Sequence, residues 1–137
     1  MLASACGGDG SGDRLSAEEF REQANAICAE YEGKVAELDS PSTPEEIPGY
    51  VEEVIPVVEA GLAELRNLKP PEELEEDYQA MLDETANAIP AARSLSEAAV
   101  DQDAAAVQEA IAQGQRADAA SDRIANELGL DECAQGE

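Results

Sequence analysis

The side chains in this sequence that could do chemistry are carboxylates and thiols. The 137 residues include 32 Asp and Glu, 8 Lys and Arg, three Cys and no His. The acids come in runs: Glu18-Glu19, Glu45-Glu46, Glu52-Glu53, and Glu72-Glu73 followed by Glu75-Glu76-Asp77. Two such carboxylates could serve as acid and base in glycoside cleavage. One of them would need burial to raise its pKa, and these runs are predicted to lie on the polar faces of helices. Catalytic activity is therefore not expected. Oxygen donors in this number attract Ca²⁺ or Mg²⁺ diffusely, but Asp101-x-Asp103 lacks the glycine and the later ligands of a calcium loop. With no His, imidazole-based zinc sites, Ser-His-Asp triads and Glu-x-x-His di-iron centres are excluded. Gly7-Gly8-Asp9-Gly10 precedes no strand and reads as linker, not as a nucleotide loop. No cofactor and no specific metal site are expected.

The charge balance narrows the partners. A formal net charge of −24 leaves no basic stripe to neutralise phosphates, which excludes nucleic acid. It also opposes docking to anionic lipid through charge. No stretch is long and apolar enough to span a bilayer. Aromatics are 3% of the chain, and Ala, Leu and Glu dominate, which favours helices.

Four elements must position these side chains. The first has Ser16 as N-cap and Glu19 as the N3 partner of a capping box, with Leu15 and Phe20 placed as a hydrophobic staple. Its apolar stripe is Phe20, Ala24, Ile27, Tyr31, Val35 and Leu38, all at spacings of three or four. Thr43-Pro44-Glu45-Glu46 predicts the start of a second helix, striped by Ile47, Val51, Val54, Val58, Leu62, Leu65 and Leu68. Pro71 is predicted at N1 of a third, striped by Leu74, Tyr78, Met81, Thr85, Ala88, Ala92, Leu95 and Ala99. Asp101 or Asp103 caps a fourth, striped by Val107, Ile111, Gly114, Ala117, Ser121, Ile124 and Leu128, with Gly129 as its terminating glycine. Pro56 and Pro90 fall inside the second and third helices, where each removes a hydrogen bond and predicts a kink. Short connections make an all-α, antiparallel up-down-up-down four-helix bundle the expected architecture. The tyrosines on or near the stripes read first as core. A sharper reading is a pocket opened by the kinks and lined by Tyr31, Tyr50, Tyr78 and Met81.

Cys6 follows the small residues Ala3, Ser4 and Ala5 and precedes a Gly/Ser/Asp run up to Asp13. This stretch resembles the lipobox of a bacterial lipoprotein, in which the signal peptide is cut before a cysteine that then carries lipid. The three cysteines together, with the late Gly129-Leu130-x-x-Cys133 stretch, resemble small exported helical lipoproteins with one internal disulfide. The resemblance implies lipid on Cys6, a Cys28–Cys133 disulfide and export to an oxidising compartment. The alternative for Cys28 and Cys133 is a pair of buried free thiols. Only Met1 and Leu2 precede Ala3, so the resemblance also implies a start upstream of Met1. On this reading 1–5 is a signal-peptide remnant and 6–14 a lipid-anchored flexible linker. The helical domain is 15–133, and 134–137 is a loose tail.

The expected function is a non-catalytic binding or interaction module on the outer face of the cell membrane. It is held there through lipid on Cys6, and its partner is an envelope protein or a small molecule. The alternatives are a small-ligand or metal-ion sensor domain and, if Met1 is the true start, an acidic cytosolic scaffold.

Overall fold

The computed structural model describes residues 14–134. The expected signal remnant, Cys6, most of the linker and residues 135–137 of the tail lie outside the described residues. Among the described residues there is no strand. Four helices, α1 (Ala17–Ala36), α2 (Ile47–Asn67), α3 (Glu72–Val100) and α4 (Ala104–Leu128), pack as a bundle with short connections. Each packs on the next in the chain, and directions alternate.

The capping chemistry sets most boundaries. At α1, Glu19 N–H donates to Ser16 Oγ at 3.1 Å, and Ser16 N–H donates to Glu19 Oε2 at 3.0 Å. The two bonds satisfy donors that the first turn leaves free. They also hold the Glu19 carboxyl below its ordinary pKa. At α4 the cap is Asp103, whose Oδ1 accepts from Ala106 N–H at 3.0 Å. Gly129 ends α4 in the left-handed region at φ 78°. Leu130 N–H then returns to Ala125 O at 2.8 Å, and the Leu130 side chain is fully buried.

The start of α2 differs from the expectation. A 3₁₀ turn over Pro44–Glu46 comes first, and α2 begins at Ile47. Pro48 is the reason: it has no N–H to give Pro44 O, and Ile47 N–H takes that carbonyl instead. The Glu46 carboxylate accepts from Ser42 and Thr43 N–H at 2.7 and 3.2 Å. Pro71 is the N-cap of α3, one place earlier than expected. Both α2 and α3 continue through Pro56 and Pro90, whose rings are exposed.

The core sits where α1 and α3 begin and α2 and α4 end. It is built from Phe20, Ala24, Leu62, Leu65, Tyr78, Met81, Leu82, Ala125, Leu128 and Leu130. Phe20 meets Tyr78 edge to face, with ring centroids 4.7 Å apart. The Tyr78 hydroxyl donates to Leu65 O at 2.6 Å, so the largest buried side chain is also satisfied. Towards the other end the α3–α4 contact is made by Ala91, Ala98, Ala99, Ala110 and Ala117. On α4 the buried face runs Ala110, Ala117, Ser121, Ala125 and Leu128, while Ile111 is exposed. The expected stripe is thus turned slightly, because small residues let α4 lie closest to α3.

α1 and α4 are joined by the residues after Gly129. Arg21 Nε donates to Leu128 O at 2.8 Å, and Asn25 Nδ2 donates to Gly129 O at 3.3 Å. Glu132 N–H donates to Asn25 Oδ1 at 3.0 Å. A second 3₁₀ turn, Asp131–Cys133, carries Cys133 to Cys28, and the two form a disulfide across 105 residues of sequence.

Candidate functional site

α1 is unevenly covered. Phe20 and Ala24, in its first half, are buried. Ile27, Tyr31, Val35 and Leu38, on the same stripe, are only half-buried. The first half sits between α2 and the C-terminal turn. The second half has α2 beside it, and the C-terminal turn ends near Cys28. An apolar groove of about 290 Å³ runs along this open flank. Ile27, Cys28, Tyr31 and Val35 of α1 line it on one side, and Val57, Val58, Gly61, Leu62 and Leu65 of α2 on the other. Thr85 of α3 reaches it, and Glu132 and Cys133 close one end. The volume lies near the lower bound of about 300–1,000 Å³ for small-ligand pockets.

Gly61 lets the two helices approach. A Cβ there would lie 3.0 Å from Tyr31 Cγ, tight enough that the ring would have to shift, so the Tyr31 ring rests directly on the α2 backbone. The ring is fixed twice more. Its hydroxyl donates to Glu64 Oε1 at 2.6 Å, and Lys34 Nζ lies 4.0 Å from its centroid, a cation–π contact. Lys34 in turn donates to Glu30 at 2.8 Å. The Glu64 carboxylate, by accepting from the phenol, pushes the Tyr31 pKa up. The Glu30 contact holds the Lys34 ammonium above its ordinary value.

At the back of the groove Thr85 Oγ1 donates to Met81 O at 2.9 Å and lies 2.7 Å from Ser121 Oγ. This is the polar link between α3 and α4. Among the described residues no buried side-chain nitrogen or oxygen lacks a hydrogen-bond partner. The groove lining is mostly apolar, and its charged residues are Glu32 and Glu132.

The four residues read from the sequence as a pocket do not share one. Tyr31 lines the groove. Tyr78 and Met81 are in the core, the first because its hydroxyl finds Leu65 O. Tyr50 faces a separate hollow formed with the α1–α2 connection, near Asp39, Pro41 and Glu46. The disulfide joins Cys28 to Cys133 as the resemblance implied, while Cys6 lies outside the described residues. Sequence reasoning missed Val57, Gly61 and Glu132. Gly61 was the available signal, a glycine inside an apolar helical stripe, where close approach of another element is its usual reason.

The acid runs stay on exposed surfaces for the most part: Glu18, Glu19, Glu45, Glu46, Glu52, Glu53, Glu72, Glu73 and Glu76 are all exposed. Among the described residues no three His, Cys, Asp or Glu side chains gather as a metal-binding group. No helix among them is long and apolar enough to cross a membrane. Compared with protein-family models, curated proteins and solved structures, the chain matches none.

Proposed function

We propose that this protein is a non-catalytic binding module of the cell envelope, tethered to the outer face of the membrane by lipid on Cys6. The observation that carries this reading is the Cys28–Cys133 disulfide. A bond of this kind belongs to an oxidising compartment. It also uses two of the three cysteines, which leaves Cys6, behind Ala3-Ser4-Ala5, for another chemistry. The apolar groove between α1 and α2 supplies a surface for binding. With no His and with its acid runs exposed, the chain offers recognition rather than turnover.

The test is intact mass of the protein from its native host, with thiol alkylation before and after reduction. Lipid mass on the Cys6 fragment is expected, with Cys28 and Cys133 alkylating only after reduction. A chain without lipid and with three thiols free before reduction would overturn both the tether and the compartment.

A further inference from the structure

We infer that the α1–α2 groove takes a small organic amine: a compact apolar body carrying one ammonium group. The inference rests on the reading of the chain as a binding module, and not on its lipid.

Three observations select this chemistry. First, the groove walls are apolar, led by Ile27, Val57, Val58 and Leu62, so the body of the ligand must be apolar. Second, the charged lining residues are both acids, Glu32 and Glu132. Both are exposed, so they stand at the mouth. The Glu132 backbone is held in place, because its N–H donates to Asn25 Oδ1 and its neighbour Cys133 is bonded to Cys28. A neutral ligand lying over these carboxylates would strip water from them without pairing them, which is unfavourable. An anion would add like charge to a chain already at −24. An ammonium gains at both points. Third, the groove's own tyrosine already engages an ammonium. Lys34 Nζ lies over the Tyr31 ring at 4.0 Å with the Glu30 carboxylate at 2.8 Å, so that ring face is taken and a ligand's ammonium must pair with Glu32 and Glu132 instead.

The probe is 4-phenylbutylamine, titrated into the disulfide-bonded protein by calorimetry, with methyl shifts of Val57, Val58 and Leu62 followed by NMR. 4-Phenylbutanoate and tetramethylammonium are the comparators. Saturable one-site binding of the amine is expected, with shifts confined to the groove methyls. The carboxylate should bind at least tenfold more weakly, and tetramethylammonium should leave those methyls unmoved. Val58→Phe fills the groove and should abolish binding. Glu32→Gln with Glu132→Gln, at exposed positions that leave the core untouched, should weaken it by up to about fivefold for each ion pair lost.

Equal affinity for the carboxylate would overturn the inference. So would undiminished binding by the double Gln variant, or amine-induced shifts spread over the whole surface. No saturable binding by the wild-type chain would do the same. Failure of the amine to bind a chain that carries lipid removes this ligand class and leaves the tether. Amine binding by a chain without lipid removes the tether and leaves the groove.

Discussion

Replacing Cys28 and Cys133 by Ser should lower the melting temperature of the domain by roughly 15–20 °C. The disulfide spans 105 residues. Closing a loop of about 100 residues in the unfolded chain is worth about 4.7 kcal/mol on a chain-entropy basis. The unfolding entropy of roughly 120 ordered residues is about 0.25 kcal/mol/K near 60 °C, and the ratio of the two gives the shift. The C-terminal turn has native contacts besides sulfur: Leu130 is buried, and Arg21 and Asn25 bond to Leu128 O and Gly129 O. The loss is therefore assigned to the unfolded state. Two assays check it. Thermal unfolding followed by circular dichroism gives the shift. Urea unfolding gives the slope, which should be steeper in the Ser variant because its unfolded chain exposes more surface. A fall of less than about 5 °C with an unchanged urea slope would refute the reasoning. The bond would then be a local clamp on the last turn, and amide exchange of Leu130 to Ala134 would be the only readout to move.

Two further predictions rest on single residues and a third on the net charge. Tyr78→Phe should cost about 1 kcal/mol at neutral pH, since it removes the bond to Leu65 O. Burial pushes the Tyr78 pKa well up, so the unfolded chain loses this proton near pH 10 while the folded one keeps it, and stability must fall as pH rises above about 10. The Phe variant should show a shallower alkaline decline in urea midpoint, and parallel declines would show that Tyr78 is not the group. Gly129→Ala should destabilise by about 1–2 kcal/mol from the left-handed backbone, which calorimetry would read as a melting temperature roughly 4–8 °C lower. The added Cβ would also lie 3.0 Å from Arg21 Nε, and a neutral outcome would refute the cost assigned to the left-handed backbone. Raising NaCl from dilute buffer to molar should raise the melting temperature, because a net charge of −24 repels itself and salt screens it. A flat or falling response would show that repulsion does not limit this fold.

The helices were legible because their ends are written in local chemistry. Ser16 and Glu19 answer each other within one turn, and Asp103 and Gly129 close α4 without help from the rest of the molecule. The start of α2 shifts to Ile47 because two prolines four residues apart, Pro44 and Pro48, compete for one turn. Pro44 suits a helical N1, while Pro48 withholds the N–H that such a helix needs. The face of α4 was misplaced because alanines carry little periodic signal: Ala110 and Ala125 are buried by proximity to α3, not by their own hydrophobicity. The groove was legible only in Tyr31 and in Gly61, a glycine inside an apolar stripe. Tyr31 and Tyr78 are alike in the sequence, but one hydroxyl finds the Leu65 carbonyl inside the core and the other finds Glu64 at the surface. That choice is made by neighbours distant in the chain. The same holds for Glu132, which reaches the groove because Arg21, Asn25 and the disulfide hold the last turn against α1.

The disulfide also decides how force would travel. If the chain is held from its N-terminal side and pulled at its C-terminal end, tension runs along α1 only as far as Cys28. It crosses the S–S bond and leaves through Cys133. α2, α3 and α4 hang between these two points as a closed loop and bear no load. Of the described residues, only those from Arg14 to Ile27 and the single residue after Cys133 can be drawn out. At about 3.4 Å per residue, that is a slack of roughly 50 Å. The disulfide thus bounds how far a pull can extend the described chain, and the resistance it meets first is the burial of Phe20 and Ala24 at the start of α1.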